Sequence, residues 1–422
     1  MLKVFEVFSG IGSQRQALEN KNIPHEIIAT SDWDISAIYA YDILHNGPQD
    51  LKDFRHHTLE SITKELEKYN LSADSKTPMG KNLNSLSFSH KKALLHAIIR
   101  NNNLTDITKV HASVLPPIDL ITYTFPCQDL SIAGHWHNNK GGITKGSNNR
   151  SSLLWEIDRI LYEYVKSDMK NPRFLMMENV TNILSDKYKD DFEEWKKTLE
   201  ERGYYNQVYT LDARDFGIPQ SRIRTFMISV LVENEEERKV VEKYFQDNNL
   251  ENYTLDETEI RPLEDFLRLD YSNPVYKEEA LKSTPRYTPS REKIYNNNPI
   301  LAVDEKVNDQ IYARTITTKQ DRNPNSGIVA FNEITLRKSN TKYRNLTGRE
   351  CMLLMGHSEE DIDLLMENNL RVAKNRELLS NSKLIQLAGN SIVVQVLEAV
   401  FEQIDDLNRA LNNLSVLEET RV

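Results

Sequence analysis

The run Val4-Phe5-Glu6-Val7-Phe8-Ser9-Gly10-Ile11-Gly12-Ser13, continued by Gln14 to Asn20 and then Glu26-Ile27-Ile28-Ala29-Thr30, decides the fold class of this chain. Val4 to Phe8 is a short β-type run, Gly10 and Gly12 permit a sharp backbone turn, and Gln14 to Asn20 has a helical pattern before the second strand. A strand-turn-helix-strand unit belongs to a parallel sheet with helices on its faces. Next, Asp34 is placed to cap a helix over Ile35 to Leu44, while residues 47–103 are polar and read as helix fragments and loops.

Asp119-Leu120-Ile121-Thr122-Tyr123, Phe174-Leu175-Met176-Met177 and Thr225 to Leu231 are further strand candidates, with helical patterns at 151–166 and 190–202 between them. The alternation predicts an α/β fold. It fails beyond Glu233, where Pro262, Pro274, Pro285, Pro289, Pro299 and Pro324 punctuate short irregular segments, so a second domain is expected at 234–343. The acidic run Glu233 to Glu237 reads as a solvated linker face. Thr347 to Met355 then reads as a short helix, and Val393 to Leu414 as a long amphipathic one with Val400, Phe401, Ile404, Leu407 and Leu411 on one face.

An apolar share of 39% and a charged share of 27% in 422 residues describe a globular chain and exclude a fibre or a low-complexity tail. No uninterrupted apolar run approaches the roughly 18 residues of a membrane span, so the expectation is a cytoplasmic protein with no membrane partner. Only two cysteines occur, Cys127 and Cys351, too few for a disulfide framework or a thiolate zinc site, and no metal is expected. The net charge of −10 argues against a polyanionic partner, but residues 261–350 hold sixteen basic against twelve acidic side chains, a locally basic segment.

Phe8-x-Gly10-x-Gly12 brings backbone close to a ligand after a strand, yet lacks the third glycine of the dinucleotide fingerprint; alone it equals an ordinary strand-to-helix turn. Asp32-Trp33 at the end of the second strand strengthens it, because a carboxylate there accepts from ribose hydroxyls and an indole stacks on a base. S-adenosylmethionine fits these features better than NAD. Phe125-Pro126-Cys127-Gln128 follows another strand, putting a thiol at the carboxyl edge of the sheet, whereas Cys351 reads as core. Glu178-Asn179-Val180 brings a carboxylate to the same edge, and Gln220-Ser221-Arg222-Ile223-Arg224 brings guanidinium groups. Together they form a nucleophile, an acid and a cation suited to covalent catalysis on a polar heterocycle.

In this order the motifs closely resemble those of the DNA (cytosine-5)-methyltransferases of bacterial restriction-modification type. Phe8-Ser9-Gly10-Ile11-Gly12, Asp32-Trp33 and Thr105-Asp106-Ile107 look like the first three motifs, Phe125 to Gln128 the nucleophile motif, Glu178 to Val180 the carboxylate motif and Gln220-x-Arg222-x-Arg224 the arginine motif. Arg344-x-Leu346-Thr347-x-Arg349-Glu350 and Gly389-Asn390-Ser391-Ile392-Val393-Val394 resemble the last two. Ser13, Asp32 and Thr124 depart modestly from the common residues. The strings at 119–131 and 153–157 look similar to the mollicute CpG methyltransferases, which points to a CG-containing target.

The resemblance implies a Rossmann-like S-adenosylmethionine-dependent methyltransferase fold with a mixed sheet. Residues 1–233 with 344–422 would form the catalytic and cofactor-binding domain, and 234–343 a smaller, irregular target-recognition domain. It implies that Cys127 adds to carbon 6 of a cytosine flipped out of duplex DNA, that Glu178 acts at N3, that Arg224 holds O2, that Arg222 supports the mobile loop or a phosphate, and that Gln128 belongs to the catalytic set. The cofactor would lie against Phe8, Gly10, Ile11, Gly12, Asp32, Trp33, Asp106, Ile107, Pro126, Leu153, Asn390 and Ser391, and DNA against Ser131, Lys140, Lys145, Arg150, Gln220 and Thr315. A monomer is implied, any cognate endonuclease acting as a separate protein. RNA-cytosine methylation and a catalytically silent DNA-binding protein remain rivals; the Asp/Asn-Pro-Pro-aromatic motif of the amino-methyltransferases is absent.

Overall fold

The structure, a computed structural model, describes residues 1–126, 130, 142–146, 151–256, 259–303, 305–308, 311–332, 341–374 and 376–419. Among the described residues up to 231, seven strands set its frame: β1 Leu2–Val7, β2 His25–Ser31, β3 Leu120–Tyr123, β4 Phe174–Val180, β5 Tyr204–Asp212, β6 Gln220–Ser221 and β7 Ile223–Leu231. Six of them form one sheet in the order β2-β1-β3-β4-β7-β5. β1, β2, β3 and β4 pair in parallel, and β7 runs antiparallel to both β4 and β5, so the sheet is mixed.

Alternation along the strands sends successive side chains to opposite faces. Leu120, Met176 and Ile228 join the core beneath α1 (Ser13–Asn20), α2 (Ile35–Asn46) and the C-terminal helix; Ile121, Met177 and Met227 pack against Trp155, Trp195 and Leu199 on the other face. Asp34 caps α2 by accepting from the Ser36 and Ala37 N–H groups, at 2.8 and 3.3 Å. Residues 47–103 contain α3 (Leu59–Leu66) and α4 (Phe88–Arg100), whose Ile62, Leu66, Leu94 and Ile98 build a third small core with Ile35 and Ile38 of α2.

On the far face lie α5 (Trp155–Lys166) and α6 (Lys189–Glu200). The acidic run at 233–237 is not a solvated linker. It opens α7 (Glu235–Asp247), where the Asn234 side chain accepts from Glu237 N–H and the acidic first turn suits the positive end of the helix dipole. Val241 and Phe245 of α7 are buried, with Phe245 stacked on Tyr205 of β5 at 6.0 Å, so this helix packs on the large sheet.

Beyond it come α8 (Pro274–Lys282), α9 (Pro289–Asn297) and the short strands β8 (Ile300–Val303), β9 (Lys306–Val307), β10 (Ala313–Arg314), β11 (Ile328–Ala330) and β12 (Tyr343–Asn345). A small sheet has the order β12-β11-β8-β9, while β10 pairs in parallel with β6 and so ties this segment to the large sheet. The chain then returns through α10 (Gly348–Leu353), α11 (Glu359–Glu367), α12 (Asn381–Asn390) and α13 (Val394–Glu419). The stretch from Asn381 to Leu414 is long and apolar enough for a bilayer, but its Leu384, Ile385, Val400, Phe401, Ile404 and Leu407 are buried in the main core.

At the start of α10, Thr347 and Glu350 form a reciprocal capping box. Glu350 also meets Arg344 in a two-pronged ion pair, both bonds 2.8 Å and both side chains fully buried. Cys351 is fully buried beside them, and burial pushes its thiol pKa up.

Candidate active site

Strand β1 is followed in sequence by its neighbour β2 on one side, while β3 lies on the other, so the connections leaving β1 and β3 diverge. A crevice opens at the carboxyl ends of strands at such a switch point. Phe8 to Gly12 leave β1 there and Phe125-Pro126 leave β3 there, and between them lies a cavity of about 440 Å³. Phe8 adopts φ +60° and Gly10 φ +57°, backbone that turns the chain sharply away from the sheet. The Thr124 hydroxyl donates to Phe8 O at 3.1 Å and joins the two strand exits.

The cavity is lined by Phe8, Gly10, Ile11, Asp32, Trp33, Asp106, Ile107, Pro126 and Leu153, with Asn390 and Ser391 arriving from the end of α12. These are eleven of the twelve residues that the sequence assigned to a cofactor. Asp32 accepts from Gly10 N–H and Asp34 N–H, both at 2.9 Å, and burial pushes its carboxyl pKa up to about 6 against these backbone bonds. Ser13, the departure from glycine, shares a 2.6 Å hydrogen bond with Ser391 and so links the first motif to the last. Gly12 does not line the cavity. At φ +83° its missing side chain makes room for the His45 and Tyr41 rings behind the loop, which explains the glycine without any ligand.

Glu178 and Arg224 line the same cavity. Both are largely buried, with Arg224 Nε 3.3 Å from Glu178 Oε1. Burial raises the Glu178 carboxyl pKa, while Arg224 and then Arg222 pull it back down. Such a group keeps its proton to higher pH than an exposed carboxylate does. Neighbouring Asn179 donates to Phe125 O at 2.9 Å, and Ser151 donates to Pro126 O at 2.7 Å. Both hold the chain just before Cys127, which lies with Gln128, Ser131, Lys140 and Arg150 outside the described residues.

Arg222 lines the cavity and is anchored within the protein. Its guanidinium is buried and donates to the main-chain oxygens of Ile316, Gly389 and Ser391 at 3.0, 3.3 and 2.6 Å, satisfying carbonyls that the end of α12 leaves open. Gln220, expected at DNA, is fully buried and engaged within the protein, donating to Leu354 O and accepting from Ile316 N–H. Thr315, half-buried, spends its hydroxyl on Ser221 O at 2.7 Å. Lys145 lies 3.5 Å from Asp158 and over the Trp155 ring, leaving its side chain about half exposed.

Sequence reasoning missed Gln14, Asn70, Ser75, Lys76 and Asn179, all of which line the same cavity. Asn179 stood inside a recognised motif, so its position was legible even though its bond was not. Asn70, Ser75 and Lys76 come from the polar 47–103 segment, where nothing in the local pattern tells which turn faces inward.

The model of the C-5 cytosine-specific DNA methylases matches residues 88–406. The type II methyltransferase M2.ScrFI of Lactococcus lactis subsp. cremoris is 34% identical over 96% of this chain and 99% of its own length. The orphan methyltransferase M.SssI of Spiroplasma monobiae is 32% identical over 96% and 97%. The crystal structure of the S. pombe Dnmt2 methyltransferase, 19% identical, shares the fold with a TM-score of 0.59, covering 98% of this chain and 100% of that one. With its motifs in order, its mixed sheet and its cavity at the switch point, the chain belongs to the C-5 cytosine-specific DNA methylases.

Proposed function

We propose that the cavity holds S-adenosylmethionine at its Asp32–Asp106 end and a cytosine, flipped out of duplex DNA, at its Glu178–Arg224 end. The observation that carries this reading is that both sets of residues line one continuous cavity, beside the Phe125-Pro126 turn that leads directly into Cys127. The donor set favours this cofactor over a dinucleotide. Gly10 N–H is engaged by Asp32 and Gly12 N–H by Ser9 O, while Asp32, Asp34 and Asp106 line the wall, surroundings that repel a pyrophosphate and suit a cationic sulfonium. Asp32 would accept from the ribose hydroxyls, Asp106 from the adenine 6-amino group, and Ile107 and Pro126 would pack on the base. When bound, S-adenosylmethionine supplies an electrophilic methyl group.

Cys127, as its thiolate, adds to carbon 6 and makes carbon 5 nucleophilic. Glu178, its pKa raised by burial, holds a proton at N3 as charge develops on the ring, and Arg224 steadies that carboxyl and donates to O2. After methylation, loss of the carbon-5 proton expels Cys127. Arg222 acts as a brace that joins Ser391 on the cavity wall to Ile316 behind it in the later segment. The segment 234–343 carries target choice, with α7 as its anchor on the large sheet, and Lys145 can exchange Asp158 for a backbone phosphate. We further infer a monomer in the cytoplasm, serving a restriction-modification system whose endonuclease would be a separate protein.

The test is incubation of purified enzyme with duplex DNA and S-adenosylmethionine, followed by bisulfite sequencing. Protected cytosines in a fixed context are expected. Methyl transfer confined to RNA, or to an exocyclic nitrogen, would contradict the reading.

A further inference from the structure

The 47–103 segment contributes a wall of the cavity that none of the family motifs accounts for. Asn70, Ser75 and Lys76 stand on it, lining the cavity together with Phe8 and Asp32 to Asp34. The turn that bears them is fixed from several directions. Ser72 N–H donates to Trp33 O at 2.7 Å, and Ser72 O accepts from Ile35 N–H at 2.9 Å, so the turn extends the Asp32–Trp33 corner. Asp74 Oδ1 accepts from Lys76 N–H and Thr77 N–H, both at 2.8 Å. Ser75 adopts φ +58° while its hydroxyl donates to Asp34, and Lys383 of α12 donates to Ala73 O at 3.1 Å. A non-glycine residue in left-handed backbone persists where its surroundings over-determine it.

One bond from this wall bears on ligand choice. The Asn70 amide donates to Asp106 Oδ2 at 2.9 Å, while Asp106 Oδ1 accepts from the Thr108 N–H at 3.1 Å and its hydroxyl at 2.7 Å. The carboxylate is held at both oxygens, and rotation about its Cβ–Cγ bond would break one set or the other. We propose that Asn70 is a positioning residue that fixes Asp106 as the acceptor for the 6-amino group of adenine, making the 70–78 turn a determinant of cofactor specificity. This rests on the assignment of the cavity to S-adenosylmethionine. Without the Asn70 donor the carboxylate can swing away from the amine, while ribose bonding to Asp32 and packing on Ile107 persist.

The test is equilibrium binding of S-adenosylhomocysteine and of its purine-riboside analogue, which lacks the 6-amino group, to the full-length enzyme. Wild type is expected to prefer the adenosyl ligand by roughly tenfold or more, the worth of a hydrogen bond to a charged group. Asn70→Ala, and Asn70→Asp, which keeps the side-chain size but puts a carboxylate in place of the donor, should both bring that ratio to within about threefold, with affinity for the analogue little changed. An unchanged ratio in both variants overturns the proposal, as does an equal loss for both ligands, which is what a merely structural role would give. Asp32→Ala, expected to weaken both ligands alike, reports on the cofactor assignment separately. If wild type binds neither ligand, that assignment and the proposal fail together.

Discussion

Asp32 shows how one carboxyl links backbone geometry to ligand affinity. It ties the Gly10 turn to the start of α2, and burial lifts its pKa to about 6. Because its pKa in the folded protein lies above that of the unfolded chain, its neutral form is the one the fold prefers. Its contribution to stability is present at low pH and is lost as pH rises through about 6. Ligand binding has the opposite sign, since ribose hydroxyls donate to the ionised form. S-adenosylmethionine affinity should therefore weaken as pH falls below about 6, and Asp32→Asn should bind more weakly throughout with this dependence flattened. Calorimetry between pH 5 and 7.5 checks it; an unchanged slope in the variant would reassign the titrating group.

At the scale of elements, the joint between α10 and the second segment turns on a single buried pair. Glu350 accepts from both arms of Arg344, from Thr347 N–H and from Arg268 N–H, and so gathers 268, 344 and the start of α10 around one carboxylate. Glu350→Ala would strand a buried guanidinium, which costs about 3–5 kcal/mol. Urea unfolding measures this directly, and a loss below 1 kcal/mol would show that water or rearrangement satisfies Arg344. The helix here was legible because Thr347-x-x-Glu350 is a capping signature, and the strands β1 to β4 because apolar runs meet turn residues. Strand β5 was not legible: its Tyr204 to Asp212 run mixes Asn, Gln and Thr at an edge where the sheet leaves them half exposed. Helix α7 was misread because an acidic first turn looks like a linker until its apolar stripe, Val241 and Phe245, is seen against the sheet.

Across the whole molecule, the large sheet carries the cavity and the later segment returns to it through the β6–β10 pair and the Arg222 brace. The proposed division of labour suits that layout, because a surface that reads base edges would be separate from a pocket that takes a flipped base. Grafting 234–343 into a related methyltransferase with another target should transfer the target sequence, scored by bisulfite sequencing. A folded, active chimaera that keeps the host's site would refute this. The cavity lining was legible residue by residue where motifs flank strands, and illegible where the wall came from 47–103; the buried bonds of Gln220 and Arg222 could not be read from their motif.

The central proposal is that the thiol of Cys127 adds to carbon 6 of cytosine. Duplex DNA carrying 5-fluorocytosine at the target, incubated with enzyme and S-adenosylmethionine, tests it most directly, because fluorine cannot leave carbon 5 as a proton does and the adduct is trapped. Mass spectrometry of the digested complex should find the methylated base attached to the peptide containing Cys127, and no such complex with Cys127→Ser. A denaturation-stable adduct on Cys351 or elsewhere, or methyl transfer with no adduct at all, would contradict it.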